Sequence, residues 1–321
     1  MPVLEVDNLT TNYKTLRGWV QACENVSFEL KKGEAMGLVG ESGCGKTSVA
    51  LSLLKLLPSA GRIRRGKILF NGSDLVKMSD SQIRKVRWKG IAIVFQGAMN
   101  ALNPVFKVSD QITEAIKIHE PHVSKSKARD RVEALFEMVG IDKSRADNYP
   151  HEFSGGMRQR ALIAMALAAN PEVLVADEPG TALDVVVQAQ ILKLLRELKE
   201  KLNLSMVFIS HDLSIVAETC EKLAIMYAGQ IVEYGDTKSI FEKPLHPYTQ
   251  GLIGAFPSIK GDRKKLISIP GQPPDLLSPP TGCRFNPRCP YVMDICKKVE
   301  PKLLPVDNPN HLAHCRLYPQ A

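Results

Sequence analysis

The stretch AMGLVGESGCGKTSVALSLL (residues 35–54) decides the fold, because it joins three patterns in a fixed order. The apolar run AMGLV predicts a buried strand, GESGCGKTS (40–48) is a glycine-rich turn, and VALSLL begins a helical pattern. A strand, a turn of the form G-x-x-x-x-G-K-[ST] and a helix, in this succession, make a phosphate-binding loop. We therefore expect an α/β domain that binds a nucleotide at residues 40–48.

The residue types of this turn suit phosphate groups. Gly40, Gly43 and Gly45 allow backbone angles that aim successive N–H groups inward, and the following helix adds its positive end. Lys46 carries a point charge toward the outer phosphates, and the hydroxyl of Thr47 is a ligand for Mg²⁺. The other predicted nucleotide contacts within the turn are Ser42, Cys44 and Ser48.

A second apolar run, VLVADE (173–178), predicts a buried strand that ends in two acids. The carboxyl end of such a strand is where α/β proteins bind ligands. We expect Asp177 to hold Mg²⁺ and Glu178 to polarise the attacking water as general base. Paired acids at a strand end are also common as solvated charges, and the glycine turn upstream favours the catalytic interpretation.

The segment FSGGMRQR (153–160) begins a strongly helical pattern. Ser154, Gly155 and Gly156 therefore form a second helix start that can receive an anion. Taken alone, SGG is usually an ordinary helix cap. Its position shortly before the acidic strand points to a nucleotide instead.

Apolar β-branched runs alternate with helical patterns along the first 240 residues. KILFNG (67–72), IAIVFQ (91–96) and MVFISHD (206–212) are further runs, and the alternation predicts buried, mostly parallel strands. VLEVDNLT, VSFEL and QIVEYGD alternate apolar with polar residues, which predicts a smaller antiparallel layer. Residues 97–153 lack strand patterns, and we expect a helical subdomain there. Its clearest helical face carries Val132, Leu135, Phe136 and Val139.

In their order along the chain, these motifs resemble the ATPase cassette of ABC transporters. GESGCGKT is similar to the Walker A motif, FSGGM to the signature motif and VLVADE to Walker B. The signature departs from its commonest form, LSGGQ, at Phe153 and Met157, but it keeps the serine and the glycines. The resemblance covers residues 1–240 and extends to single positions: Gln96 in the Q-loop, Asp184 in the D-loop TALD, the switch histidine His211, and Tyr13 as the aromatic that stacks on adenine.

The resemblance implies roles for these residues. The cofactors are ATP and Mg²⁺, and two subunits associate head to tail, so that Ser154 to Gly156 act on the partner's ATP. His211 senses the γ-phosphate, Gln96 contacts Mg²⁺ or water, and Asp184 lies at the subunit interface. From the residues alone, each of these three side chains also fits an ordinary strand-end or turn position.

Beyond residue 240 the composition changes, since most of the 21 prolines lie from Pro244 onward. Regular elements should be short there. KPLHPYTQGL (243–252), PGQPPDL and GCRFNPRCP resemble the C-terminal extension of the ATPase subunits of dipeptide and oligopeptide importers. We therefore predict an ATPase domain at 1–240, including the helical subdomain at 97–153, and an irregular C-terminal extension at 241–321.

Four of the seven cysteines lie in this extension, with gaps of five, six and eighteen residues: Cys283, Cys289, Cys296 and Cys315. Structural zinc usually has one tight pair of ligands, whereas wide loops suit a [4Fe–4S] cluster, which the resembled subfamily can carry. Zinc, with His311 and His314 as substitute ligands, stays the alternative. Among the other cysteines, Cys44 adjoins Lys46 and a helix start, which predicts a lowered thiol pKa and alkylation that ATP blocks.

Composition bounds the function. The sequence contains no apolar stretch long enough to span a membrane, and its start, MPVLEVDNL, lacks the pattern of a secretion signal, so we expect a cytoplasmic protein. A formal charge of +8 favours anionic partners without choosing among them. The alternative to a transporter subunit is a soluble ABC ATPase that acts on nucleic acid or ribosomes. A single cassette without a basic, aromatic-interleaved patch disfavours it.

The predicted function is therefore ATP hydrolysis that energises dipeptide or oligopeptide import. The resemblance implies two transmembrane permease subunits, a second, related but non-identical ATPase subunit, and a solute-binding protein reached through the complex. It places the chain peripherally on the cytoplasmic face of the membrane, with no nucleic-acid partner. Oligosaccharides and nickel stay open as transported solutes.

Overall fold

The structure is a computed structural model that describes residues 1–97, 101–255, 269–306 and 308–319. The chain forms two compact units, each assembled from several segments. The first unit comprises Met1–Val3, Leu30–Glu34 and Lys77–Phe208, and the second comprises Leu4–Glu29, Ala35–Val76 and Ile209–Ala321.

The described residues contain short strands and helices in alternation. The strands are β1 (Leu4–Thr15), β2 (Gly18–Leu30), β3 (Ala35–Val39), β4 (Gly61–Phe70), β5 (Ser73–Asp74), β6 (Ile91–Val94), β7 (Val173–Asp177), β8 (Ser205–Ser210), β9 (Lys222–Tyr227), β10 (Gln230–Asp236), β11 (Leu304–Pro305) and β12 (Leu312–Ala313). The helices are α1 (Lys46–Leu53), α2 (Asp80–Val86), α3 (Val108–His119), α4 (Lys125–Met138), α5 (Gly155–Ala166), α6 (Val185–Leu202), α7 (Leu213–Thr219), α8 (Thr237–Glu242) and α9 (Pro247–Gly254).

The second unit contains an antiparallel sheet in the order β2-β1-β4-β5. Strand β1 pairs with β4 from Leu4 opposite Phe70 to Tyr13 opposite Gly61, with a bulge after Asp7. The predicted antiparallel layer is thus present at β1 and β2. The prediction that KILFNG belongs to the parallel strands was wrong, because these residues end β4, where only the alternate positions Ile68 and Phe70 are buried.

The same unit also holds the strand that leads into the glycine turn. Strand β3 pairs in parallel with β9, from Met36 opposite Lys222 to Val39 opposite Ile225, and β9 pairs antiparallel with β10. Strand β12 pairs with the other edge of β10. The prediction that QIVEYGD joins the half-exposed layer was wrong, because β10 has neighbours on both edges and is almost wholly buried.

The first unit contains the acidic strand and the predicted helical subdomain. Strand β7 pairs in parallel with β6, and all five of its residues are buried. Helices α3 and α4 occupy the segment for which helices were predicted, although residues 98–100 lie outside the described residues. The predicted face of α4 is confirmed, since Val132, Leu135, Phe136 and Val139 are all buried. Phe136 meets the ring of Phe153 edge-on, with centroids 6.3 Å apart.

The helices and strands that the structure describes within the extension are short, as predicted from its prolines. Its core is aromatic: Tyr248 lies 5.6 Å from Phe285 between ring centroids, and both rings contact Tyr227 of β9. The division at residue 240 stays a prediction, and we keep the name C-terminal extension for 241–321. Among the helices that the structure describes, none combines the length and the apolar character needed to cross a bilayer.

Candidate nucleotide-binding and catalytic site

The glycine turn of the second unit needs its glycines for two separate reasons. Gly45 has a φ of +107°, which side chains other than glycine rarely adopt, and a Cβ there would lie 2.2 Å from the carbonyl oxygen of Ala22. Gly40 has an ordinary φ, but its Cβ would lie 2.1 Å from the carbonyl oxygen of Met226. At Gly40 and Gly45 the backbone is therefore packed closely against strands β9 and β2, which leaves no room for a side chain at these two positions.

Lys46 begins helix α1, and its ammonium group lies inside the turn. Only 5% of the residue is exposed, and its Nζ donates to the carbonyl oxygens of Gly40 at 2.6 Å and Glu41 at 3.0 Å. No side-chain hydrogen bond caps the helix, so no side chain competes with an anion for its first N–H groups. A charged donor and an uncapped helix start fit the predicted anion site, and what the turn binds stays a prediction.

Tyr13 lies beside this turn. Its hydroxyl is hydrogen-bonded to the side chain of Ser48, and burial is the main cause of a pKa above the ordinary tyrosine value. The ring packs against Gly61, where a Cβ would lie 2.9 Å from Cε1. The structure thus brings Tyr13 and the turn together, and stacking on adenine stays a prediction.

The prediction of a low pKa for Cys44 was wrong. The thiol is buried, with 4% of the residue exposed, and burial raises its pKa. The charge of Lys46 acts in the opposite direction but is the smaller effect. Removing a thiolate from water outweighs one nearby cation, which sequence position alone does not reveal.

In the first unit, strand β7 ends at Asp177, which is 1% exposed, and Glu178 follows with a φ of +47°. The Oε2 atom of Glu178 accepts hydrogen bonds from Gln96 Nε2 at 2.8 Å and from Thr181 Oγ1 at 2.9 Å. The structure therefore brings two predicted residues, Gln96 and Glu178, into contact. Sequence reasoning missed Thr181, although a hydroxyl three residues after an acid was a signal for this contact.

The other predicted residues lie at helix starts. Ser154 accepts a hydrogen bond from the backbone N–H of Met157 at 3.3 Å and caps α5. Asp184 accepts one from Val187 at 2.9 Å and caps α6. Both side chains lie at the surface of the first unit, and the exposed His211 directly precedes the capping residue of α7 in the second. The cap at Ser154 confirms the predicted helix start, and what Ser154, Asp184 and His211 bind stays a prediction.

Comparison with known proteins decides the family. A profile described as "ABC transporter" matches residues 23–181, and one described as "Oligopeptide/dipeptide transporter, C-terminal region" matches 232–296. The chain is 47% identical to the oligopeptide transport ATP-binding protein OppD of Bacillus subtilis, over 99% of this chain and 90% of that protein. This chain belongs to the ABC transporter family.

Two further relatives agree with this assignment. The dipeptide transport ATP-binding protein DppD of Escherichia coli is 46% identical over 94% of this chain and 93% of its own length. The solved dimeric ATP-binding cassette MJ0796, bound to ADP and phosphate, is 26% identical with a TM-score of 0.65 and covers 73% of this chain and 98% of the cassette. The predicted fold class and ATPase class of this ABC transporter protein are confirmed.

The four cysteines of the ABC protein's extension are free thiols. Burial, and then the proximity of the other three, raises the pKa of Cys283 to about 12. The sulfur atoms of Cys283, Cys289 and Cys315 each accept a backbone N–H from the residue two positions further on. The chain thus folds the widely spaced cysteines into one neighbourhood.

That neighbourhood is not yet a metal site. In the part of the chain that the structure describes, no three His, Cys, Asp or Glu side chains are grouped so that they could hold a metal ion. The substitute zinc ligands are engaged elsewhere, since His311 Nε2 lies 2.8 Å from Glu233 Oε1 and His314 Nε2 lies 3.7 Å from Glu300 Oε1. The predicted [4Fe–4S] or zinc centre is therefore not supported by the structure.

Proposed function

We propose that this chain is the ATP-hydrolysing subunit of an importer for dipeptides or oligopeptides. The observation that carries the proposal is the similarity to OppD over 99% of the chain, which includes the extension as well as the cassette. A cassette alone is shared by ABC proteins of many functions. The extension narrows the choice to relatives that carry peptide-transport names.

Residues of the glycine turn would bind the phosphates of ATP. The ammonium of Lys46 would exchange the carbonyl oxygens of Gly40 and Glu41 for phosphate oxygens, which carry full negative charge. Oxygen atoms of Thr47, Asp177 and Gln96 would hold Mg²⁺. When bound, this ion would neutralise part of the phosphate charge. Hydroxyl, carboxylate and amide oxygens are the donors this cation prefers.

Glu178 would activate the attacking water. Hydrogen bonds from Gln96 and Thr181 hold the orientation of its carboxylate, which a general base requires. His211 would sense the γ-phosphate, and Asp184 with Ser154 to Gly156 would act at the interface with a second ATPase subunit. The dimeric state described for the MJ0796 cassette supports such a pairing.

The membrane partners follow from the same proposal. Two permease subunits would dock on the helical subdomain, and a solute-binding protein would deliver the peptide through them. The chain would then lie peripherally on the cytoplasmic face of the membrane. Co-purification of the tagged chain with membrane subunits, and peptide-stimulated ATP hydrolysis by that complex, tests this assignment. Stimulation by RNA or ribosomes instead would overturn it.

The replacement Glu178→Gln tests the catalytic part. We expect turnover to fall by a factor of about 10² to 10⁴, the usual contribution of a general base, while MgATP still binds. A Glu197→Gln variant, on the exposed face of α6, is the matched control and should hydrolyse ATP like the wild type. Wild-type turnover in Glu178→Gln would refute the assignment of the base.

We further propose that Cys283, Cys289, Cys296 and Cys315 bind a [4Fe–4S] cluster, with zinc as the alternative. Thiol ligands, mutual proximity and N–H groups directed at three of the sulfur atoms support it. Ligation would have to draw the thiols closer together. Anaerobically purified protein should contain iron and sulfide near four per chain, and Cys296→Ser should lose both. Colourless protein with one zinc supports the alternative, and metal-free protein contradicts both.

A further inference from the structure

Glu41, the second residue of the glycine turn, is held at three groups: its carbonyl oxygen, its backbone N–H and its carboxylate. Its carbonyl oxygen accepts from Lys46 at 3.0 Å, within the turn itself. Its backbone N–H donates to the hydroxyl of Tyr248 at 2.9 Å, and its carboxylate receives two parallel hydrogen bonds from Arg288, at 2.8 and 3.0 Å. Both outside partners belong to the C-terminal extension, which no motif of the cassette accounts for.

Contacts other than the one with Glu41 also fix the guanidinium of Arg288. Its side chain is 5% exposed, its Nε donates to the carbonyl oxygen of Pro270 at 2.7 Å, and it lies 5.6 Å from the centroid of the Tyr227 ring. An arginine held by its Nε presents the remaining two nitrogens as a rigid fork that matches a carboxylate. The pair is therefore a built contact rather than a mobile surface ion pair.

Tyr248 is fixed in the same way. It is fully buried, with its ring 4.7 Å from Tyr227 and 5.6 Å from Phe285 between centroids. The Nδ1 atom of His246 accepts the backbone N–H of Tyr248 and caps α9. The hydroxyl thus reaches the turn from a rigid support.

These contacts bear on nucleotide affinity because the turn is rich in glycine. A glycine loop loses more conformational freedom on ordering than other sequences, and this loss weakens binding unless the loop is ordered beforehand. When Lys46 turns to the phosphates, it gives up its contact with Glu41. Arg288 and Tyr248 then stay as the contacts that hold the start of the turn.

We propose that Arg288 and Tyr248 are positioning residues for ATP binding, so that the extension is a working part of the nucleotide site. The inference rests on the proposed role of residues 40–48 in holding phosphate. It assigns the extension a function that is independent of whether its cysteines carry a metal.

The experiment is an MgATP titration by calorimetry, with steady-state kinetics, on the full chain. We expect Arg288→Gln to raise the Kd and KM for ATP about tenfold, as for the loss of a partly buried charge pair, and to change kcat by less than about twofold. Tyr248→Phe, which keeps the packing, should raise them about threefold, the value of one hydrogen bond. Arg288→Lys should recover part of the affinity for ATP. The double variant Glu41→Gln/Arg288→Gln should bind ATP at least as tightly as the single variant with the lower affinity.

Arg284→Gln is the matched control. Arg284 is another buried arginine of the extension, 6% exposed, but it pairs with Glu24, Gln21 and the carbonyl oxygen of Ala228. We expect it to lower thermal stability and to leave the Kd for ATP within about twofold of wild type. Equal losses of affinity in Arg284→Gln and Arg288→Gln would mean a purely structural role, and unchanged affinity in both Arg288→Gln and Tyr248→Phe would also overturn the proposal. A wild-type chain that fails to bind MgATP would instead refute the proposed function.

Discussion

The glycine turn and the cysteine segment of the extension differ in how their residues come together. The turn consists of nine consecutive residues, so all the glycines and side chains that it needs are adjacent in the sequence. The four cysteines span 33 positions from Cys283 to Cys315, and they share a neighbourhood only in the folded chain. The geometry of a site made of consecutive residues can be predicted from the sequence. For a site assembled by tertiary contacts, the sequence shows the types of ligand residue but not their geometry.

The largest effect should come from breaking the turn. Gly45→Ala would force a Cβ to within 2.2 Å of the Ala22 carbonyl oxygen at a φ of +107°, so we expect a loss of about 3 kcal/mol in stability and no measurable ATP binding. Unfolding midpoints and MgATP titration measure both. Gly43→Ala also meets a positive φ, but it faces open space and should be the milder control. Equal behaviour of the two variants would contradict the argument from close packing.

Acidification should lower the stability of the protein through His246 of the extension. Burial lowers the pKa of His246 to about 3, below the 6.5 of an unfolded histidine. Between these values the unfolded chain binds a proton that the native chain does not, so stability falls as pH drops below 6.5, by about 2 kcal/mol at pH 5 relative to pH 7. Unfolding midpoints measured from pH 7 to pH 5 check this.

His246→Asn sharpens this test. Asparagine keeps a capping oxygen for α9 and does not titrate, so this variant should lose that part of the pH dependence. A variant of the exposed His122, such as His122→Gln, should keep it. If His246→Asn and the wild type lose stability in parallel on acidification, the burial argument fails.

We expect the smallest effect in the alkylation rates of two cysteines, one from the glycine turn and one from the extension. Burial raises the pKa of both thiols, but Cys44 of the turn is buried, whereas Cys289 of the extension is partly exposed. We expect iodoacetamide to label metal-free Cys289 at least about tenfold faster than Cys44, because thiol alkylation requires access of the reagent. Mass spectrometry of peptides measures both rates. Fast labelling of Cys44 that ATP suppresses would restore the prediction from sequence.

Sequence reasoning reached the family and the strand and helix that frame the turn. It also named Gln96 and Glu178, but only the structure shows the contact between them. It failed where burial decides the outcome. The sequence QIVEYGD alternates apolar and polar residues, but β10 pairs on both edges and is almost wholly buried. The sequence showed the cation beside Cys44, but it did not show that the Cys44 thiol is buried away from water. Arg288 was invisible as a partner of Glu41 because 247 positions separate them.

The most direct test of the central claim, that residues 40–48 grip the phosphates of ATP, is MgATP binding to Lys46→Ala. The ammonium lies inside the turn, and its removal takes away the point charge for the phosphates. The account predicts saturable binding by the wild type and a Kd raised at least about a hundredfold in Lys46→Ala, with the fold retained. Wild-type affinity in Lys46→Ala would contradict it.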